Sequence, residues 1–153
     1  GAFEHFAKPS LTKDQKVAGY RQFFQRCHEW LKPGSYMSLQ TIGYENMCRE
    51  DMNDFLITQI FPETDLPTLA EIAKASERIF EVVVLRNDRK DYERTCKAWL
   101  SGLKANRAEA VRLVGEEMVN RYEKYLSFVS IGFHLGNMNL LRIQLRRLDK
   151  PSW

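Results

Sequence analysis

The sequence predicts an α/β fold, because helical and strand-like segments alternate along its 153 residues. Apolar residues recur at helical spacing from Lys13 to Leu31, and Lys32-Pro33-Gly34 then ends the helix. Tyr36 to Ile42 follows as an alternating, β-rich segment typical of a strand. The whole pattern gives about three strands and five helices. That set is the second half of a doubly wound sheet rather than a complete one.

The remaining elements of the first half are two shorter helices. Arg49 to Ile60 carries an apolar stripe at helical spacing, and a turn-rich connector follows it. Thr68 is placed to cap a helix that runs to about Ser76, and Thr12 is placed in the same way before the first helix.

The second half of the chain contains two strands and two helices in the predicted order. Phe80 to Leu85 is a nearly continuous apolar run, which predicts a strand buried on both faces. A helix capped by Asn87 or Asp88 follows, and one long helix is expected from Ala108 to Leu135, with Gly136 as its C-cap. Leu140 to Leu148 alternates apolar and polar residues and reads as an edge strand.

Composition excludes several classes of function. Hydrophobic residues make up 44% and the net charge is +3, too small a charge to indicate binding of nucleic acid. No apolar run approaches the roughly 20 residues that span a bilayer. Three widely spaced cysteines fit a reducing cytoplasm. The three histidines lack metal-ligand spacing, so no metal site is expected, and His28 is expected on the surface.

The sequence lacks a recognisable nucleotide-binding turn. In an open α/β sheet such a ligand lies at the carboxyl ends of the strands, beside a glycine-rich turn. The eight glycines never form that cluster. The first residues, from Gly1 to Phe6, also read as a sequence entered in the middle of a fold. We therefore expect an amino-terminal half that precedes these residues and holds most of the cofactor.

Several motifs, in order and at matching spacing, resemble the cyclopropane fatty acid synthases and mycolic acid cyclopropane synthases. The family pattern "IFPGG-x-LP" corresponds to Ile60-Phe61-Pro62 and Leu66-Pro67, and "HYARTLxxW" corresponds to 91–95 with Trp99. The stretch from Gly1 to Phe6 resembles the end of the family's fourth strand. The further matching segments are Ala105-Asn106-Arg107, Glu116 and 121–126.

The resemblance implies a fold and an activity. The fold is the second half of a doubly wound Rossmann-like methyltransferase sheet with additional helices, and residues 1–153 form the carboxy-terminal part of that domain. The activity is transfer of a methyl group from S-adenosylmethionine to the double bond of an acyl-chain lipid or a carrier-bound acyl substrate, in lipid biosynthesis. The enzyme would be cytoplasmic, with contact at the inner membrane face. Gly1 and Glu4 fall where the family approaches the cofactor.

The resemblance also implies site residues. In the family a bicarbonate ion is thought to accept a proton, held by a Glu, a His, a Tyr and backbone near an Ile. These positions fall on Glu4, Gln40, Tyr92 and Ile42 in this sequence. Gln40 departs from the pattern: its amide can donate a hydrogen bond but cannot take up a proton. Methyl transfer tolerates that change better than ring closure does.

Each of these residues also has a purely structural interpretation. Glu4 could cap a helix, Gln40 could be a buried amide bonded to backbone, and Tyr92 lies on an apolar stripe where a core tyrosine is common. Tyr122 and Tyr125 either line an acyl channel or belong to ordinary core packing.

Two other functions fit the sequence. One is a natural-product C-methyltransferase acting on a polyketide-type acceptor, which Gln40 favours slightly. The other is a non-catalytic fragment or partner domain, favoured by the lack of a cofactor-binding half.

Overall fold

The computed structural model describes residues 2–52, 54–60 and 62–150, so Gly1 lies outside the described residues. The strands are β1 Tyr36–Tyr44, β2 Phe80–Asn87 and β3 Met138–Arg147. The α-helices are α1 Lys13–Trp30, α2 Leu69–Ser76, α3 Arg89–Ala105, α4 Arg107–Val114 and α5 Glu116–Leu135. Three short helical turns span Phe3–His5, Arg49–Asp51 and Leu56–Ile60.

The strands form a sheet in the order β1-β3-β2, and β3 runs antiparallel to both neighbours. The expectation of an edge strand at Leu140 to Leu148 was therefore wrong: β3 is the central strand. Its alternation reflects one covered and one open face, because Arg142 and Gln144 are exposed whereas Ile143 and Leu145 are buried. An open face and a free edge give the same alternating pattern in a sequence.

β2 is more exposed than the sequence predicts. Val82, Val83, Val84 and Leu85 each expose 42–45% of their surface, although the apolar run predicted burial on both faces. Within the described part of the chain, β2 pairs with β3 alone and is therefore an edge strand of the sheet. The pairing also skips Val83, so Val82 and Val84 face opposite sides of the sheet.

Three of the predicted helix caps are confirmed, whereas the side chain of Asp88, the residue before α3, forms no capping hydrogen bond. Thr12 forms a capping box with Gln15, and Thr68 forms one with Glu71. Gly136 ends α5 in the left-handed conformation, with φ of 84°.

Two predicted helices differ in the structure. The long helix is divided into α4 and α5 at Gly115, whose φ of 83° is incompatible with a continuous helix. The apolar residues keep the same helical spacing on both sides of Gly115. For this reason the sequence predicted one helix instead of two. The segment from Arg49 to Ile60 contains a 3₁₀ turn and a π-helical turn instead of one regular α-helix.

The main core lies between the sheet and the layer formed by α1 and α2. Its largest buried side chains include Tyr20, Phe24, Ile72, Leu141 and Leu145. His28 also lies in this layer: it is 4% exposed, and its Nε2 lies 2.7 Å from the Leu148 carbonyl. The surface position expected for His28 was wrong, because helical spacing alone does not show which carbonyl a ring nitrogen can reach.

The helices α3 and α5 pack against each other as an antiparallel pair beside Met138, where β3 begins. Their contact surface includes Cys96, Val129 and Phe133, which form a second core with Met138. None of the helices in the described ranges is long and apolar enough to cross a membrane.

Gly43 of β1 lies in close contact with the backbone of Pro67. A methyl group at Gly43 would lie 2.7 Å from the Pro67 carbonyl oxygen, a backbone atom that accepts a hydrogen bond from Tyr44 N–H. We expect Gly43→Ala to lower the free energy of unfolding by about 1–3 kcal/mol, measured by urea denaturation. Gly102→Ala adds the same methyl group inside α3 with nothing within 4 Å, and should stabilise the protein by about 0.5–1 kcal/mol. Equal effects of the two changes would contradict this packing.

Candidate functional site

One cavity of about 200 Å³ lies between the end of the sheet and the α3–α5 pair. Residues from several segments of the chain contribute to it, and most of the lining is apolar. The polar contributors are Glu4, His5, Tyr44, Thr64, Tyr92 and Tyr125. The apolar contributors are Ile42, Met52, Leu56, Leu66, Cys96, Val129, Phe133 and Met138.

Glu4 is the carboxylate of the cavity. It belongs to the short turn Phe3–His5 and is 4% exposed. Phe3 anchors that turn in the main core by stacking on Tyr20 at 4.5 Å between ring centroids. The Glu4 Oε1 accepts a hydrogen bond of 2.8 Å from the Ile42 backbone N–H. A buried side chain thus joins the first turn to β1 at the cavity.

Tyr92 reaches the cavity from α3. Its ring packs edge-on against Phe133 at 5.1 Å and against Trp99 at 6.0 Å. Burial raises the pKa of Tyr92, and the nearby Cys96 and Glu4 raise it further. The phenol therefore stays protonated at neutral pH and can donate a hydrogen bond.

Two neighbouring groups of the cavity are also held in their neutral forms. Burial raises the pKa of Tyr125 to about 12, with smaller contributions from Tyr92, Cys96 and Tyr122. Burial alone raises the pKa of Cys96 to about 11, so its thiol is a poor nucleophile at neutral pH. Glu4 is the one carboxylate among the lining residues.

Four of the expected site residues line the cavity: Glu4, Ile42, Tyr92 and Tyr125. Gln40 does not line it; this residue is exposed on β1, two positions before Ile42 and opposite Arg142 of β3. Tyr122 is 50% exposed and lies outside the lining, with its ring edge-on to Tyr125 at 6.0 Å. Gly1 is not among the described residues.

Sequence reasoning missed the pair formed by His5 and Thr64. Both line the cavity, and His5 Nδ1 lies 2.9 Å from Thr64 Oγ1. Thr64 is 6% exposed. Thr64 occupies the position of the second glycine in the family pattern IFPGG-x-LP. This departure from the pattern is the feature of the sequence that could have identified Thr64 as a site residue. Tyr44 was also missed, since its position at the end of β1 carries no local motif.

Glu93 of α3 contacts two lysines of its own helix and His134 of α5. Glu93 contacts Lys97 at 2.6 Å, His134 at 2.9 Å and Lys90 at 3.2 Å, and its side chain is 8% exposed. Glu93 follows Tyr92 directly in α3, and His134 follows Phe133 directly in α5. The Glu93–His134 contact therefore joins the two helices next to the pair of cavity-lining residues Tyr92 and Phe133. No group of three or more potential metal ligands occurs in the described ranges.

Comparison with known proteins gives the family of this chain. The family model described as mycolic acid cyclopropane synthetase matches residues 1–143. The chain belongs to this family. The resemblance inferred from the motifs is thereby confirmed.

Several members of the family are similar to the chain over nearly its whole length. Cyclopropane mycolic acid synthase MmaA2 of Mycobacterium tuberculosis is 27% identical over 162 residues, which cover 96% of this chain and 53% of that protein. Cyclopropane mycolic acid synthase 1 of the same organism is 28% identical, covering 92% of this chain and 50% of that protein. The chain therefore spans about half the length of these relatives.

Solved structures agree with the sequence comparison. Mycolic acid cyclopropane synthase CmaA1 complexed with SAH and CTAB superposes with a TM-score of 0.81 and 26% identity, over 96% of this chain and 53% of that one. The predicted fold class is thus confirmed: the sheet and helices correspond to part of a Rossmann-like α/β methyltransferase fold in this family.

The Glu93 network predicts how stability depends on pH. Its hydrogen bond with Lys97, then that with His134, lowers the pKa of Glu93 to about 2, against about 4.3 for an unfolded chain. A lowered pKa gives stability that is complete above about pH 4.3 and is lost as the pH falls towards 2. We expect Glu93→Gln to weaken the acid dependence of the urea midpoint between pH 4.5 and 2.5. The exposed change Glu63→Gln should leave that dependence as in the wild type, and an unchanged slope in Glu93→Gln would contradict the network.

Proposed function

We propose that the chain is the carboxy-terminal part of one S-adenosylmethionine-dependent methyltransferase domain. The enzyme would methylate an unsaturated acyl chain or a similar lipid-like acceptor, as the names of its relatives suggest. One observation carries the proposal: Glu4, Ile42 and Tyr92, three residues that the family resemblance implied, line the same apolar cavity. The whole activity belongs to an enzyme that includes the other half.

The cavity suits an acyl chain next to a site of developing charge. Its apolar lining binds hydrocarbon and excludes water. Glu4 is the one carboxylate in this lining, and its position is set by the 2.8 Å hydrogen bond from Ile42 N–H. A carboxylate held in a low-dielectric surrounding interacts strongly with positive charge. The lining is therefore suited to a reaction in which an apolar substrate becomes cationic.

The lining also suits the methyl-bearing end of S-adenosylmethionine. A sulfonium group is a cation, and both the Glu4 carboxylate and the rings of Tyr92 and Tyr125 attract cations. When bound, S-adenosylmethionine supplies an electrophilic methyl group. The eight glycines form no cluster for the nucleotide end of the cofactor, so we assign that end to the other half of the enzyme.

The residues of this chain would act on the acceptor. Methylation of a double bond would release S-adenosylhomocysteine and leave positive charge on the acyl chain. The Glu4 carboxylate would stabilise that charge, without having to reorganise, until the chain loses a proton. Tyr92 remains protonated and donates a hydrogen bond rather than acting as a base. Its contact with Phe133 holds the ring in place.

The family resemblance implies a bound bicarbonate ion as the proton acceptor. Among its expected holders, Gln40 lies outside the cavity lining, and the Ile42 N–H already donates to Glu4. A glutamine also cannot take up a proton. We therefore derive no step through bicarbonate and limit the proposed reaction to methyl transfer.

The partners follow from this reaction. They are an acyl-chain lipid or a carrier-bound acyl substrate, and the amino-terminal half of the same enzyme. We place the reaction in lipid biosynthesis in the cytoplasm, with peripheral contact at the inner membrane face as the way in which a lipid would reach the cavity.

Glu4→Gln tests the charge of the carboxylate. The amide oxygen can still accept the hydrogen bond from Ile42 N–H, so the fold should persist while the negative charge is lost. In the full-length enzyme we expect kcat to fall by at least about 10²-fold with little change in KM, measured as methyl transfer from labelled S-adenosylmethionine.

The matched control for Glu4→Gln is Glu63→Gln, which removes an exposed carboxylate outside the cavity. It should retain wild-type kcat. Wild-type activity in Glu4→Gln, with correct folding, would remove Glu4 from the reaction.

A natural-product C-methyltransferase remains the second candidate, because Gln40 departs from the family pattern. The two proposals differ in the product. We expect the full-length enzyme, incubated with unsaturated lipid, to give an acyl lipid that carries the transferred methyl carbon, as detected by mass spectrometry. Methylation of a polyketide-type thioester, with unsaturated lipids left unchanged, would favour the second candidate.

A further inference from the structure

A buried lysine lies beside the cavity without lining it. Lys16 of α1 is 6% exposed. Its Nζ contacts Asp65 Oδ2 at 2.8 Å, Glu71 Oε1 at 3.3 Å and the Leu66 carbonyl at 3.2 Å. The two carboxylates are nearly as buried, with 14% and 11% of their side chains exposed. A buried ammonium is costly unless it is paired in this way.

Two of the three partners of Lys16, Asp65 and Leu66, belong to the segment that forms one wall of the cavity. Asp65 lies between Thr64 and Leu66, and both neighbours line the cavity. Lys16 contacts the side chain of Asp65 and the backbone of Leu66, so its ammonium restrains the middle of this wall. We define the cavity wall as residues 64–66.

Glu71 extends the same restraint to α2. One of its oxygens contacts Lys16, and the other accepts a 2.8 Å hydrogen bond from Thr68 N–H in the capping box. The first turn of α2 and the cavity wall are therefore fastened to the same ammonium on α1. This connection spans three elements that are separated in sequence.

The other restraints on the wall are single hydrogen bonds. Asp65 N–H donates to the Ala7 carbonyl at 3.2 Å, and Thr64 Oγ1 lies 2.9 Å from His5 Nδ1. Just after the wall, the Pro67 carbonyl accepts a hydrogen bond of 2.9 Å from Tyr44 N–H. The Arg49 guanidinium also donates to the Thr64 carbonyl. A typical hydrogen bond contributes only a modest net stabilisation. The Lys16 cluster differs from these restraints because it pairs a buried cation with two largely buried carboxylates, and its loss would leave both carboxylates without that cation.

We propose that Lys16 is a positioning residue for the cavity, because its ammonium holds the cavity wall and thereby sets where Thr64 and Leu66 meet the acceptor. Lys16 touches neither substrate nor cofactor in this proposal. Its effect on reaction rests on the proposed methyltransferase function, whereas its effect on the wall does not.

Lys16→Met tests the proposal, because methionine has nearly the same length and lacks the charge. In the full-length enzyme, amide exchange at Tyr44 and Asp65 should accelerate at least about tenfold. The Asp65 N–H belongs to the wall, and the Tyr44 N–H donates to Pro67, which directly follows it. Methyl transfer should lose about 10- to 100-fold in kcat/KM, the cost of a small misplacement of a substrate-positioning group, at a temperature where the variant is folded.

Two further variants complete the experiment. Lys74→Met removes an exposed lysine of α2 that pairs with Glu77, and should leave both exchange and kinetics as in the wild type. Glu71→Gln removes one charge of the cluster but keeps an oxygen for Thr68 N–H. It should give a smaller change in the same direction, and it replaces Lys16→Met if that variant does not fold.

The outcomes separate this proposal from the proposed function. Wild-type exchange at Tyr44 and Asp65 in a folded variant would overturn the positioning role. A lower melting temperature with unchanged kcat and KM in the folded protein would likewise reduce Lys16 to a stabilising residue. If the wild type transfers no methyl group but exchange accelerates in Lys16→Met, the methyltransferase proposal fails while the restraint on the wall stands.

Discussion

The arrangement of the cavity depends on the hydrogen bond between the Glu4 carboxylate and the Ile42 backbone N–H. Ile42 belongs to the sheet, whereas Glu4 belongs to a three-residue turn with little structure of its own. The turn is anchored on its other side by the Phe3 ring in the main core. A carboxylate in an apolar surrounding needs such a donor, so the bond both compensates for burial of Glu4 and fixes its direction.

The cavity is bounded by two structural units with different kinds of support. The sheet, α1 and α2 share a continuous apolar core, while the α3–α5 pair is joined by its own apolar surface and by the Glu93 network. The wall between these units carries few large apolar residues. Its position therefore depends on polar contacts such as those of Lys16 and the pair formed by His5 and Thr64. Such contacts are directional, and this suits a surface that must meet a substrate in one geometry.

The sequence predicted the features that depend on local chemistry. Thr12, Thr68 and Gly136 were identified as caps because a cap involves only residues three or four positions apart. The central position of β3 could not be predicted, since strand order depends on which distant segments pair. The break at Gly115 was missed for a different reason: the apolar spacing of the two helices continues in phase across it.

The candidate site was predictable only through the family motifs. They identified Glu4, Ile42 and Tyr92, which do line one cavity, but composition and periodicity would have left Tyr92 as an ordinary core residue. Gln40 was chosen by alignment to a histidine, and alignment does not show whether a side chain reaches a cavity. Lys16 was not singled out, because a lysine in an amphipathic helix is normally solvated. Its burial follows from Asp65 and Glu71, which lie about fifty residues away in sequence.

The exposed strand β2 has a consequence for handling the chain by itself. An apolar strand with open backbone groups is a template for strand addition by another molecule, and so for aggregation. Two features of β2 oppose this. The skipped residue Val83 distorts the edge, and the charged residues Glu81 and Arg86 flank the apolar run. These features disfavour pairing of β2 with a second molecule, at the place where the isolated chain is most prone to self-association.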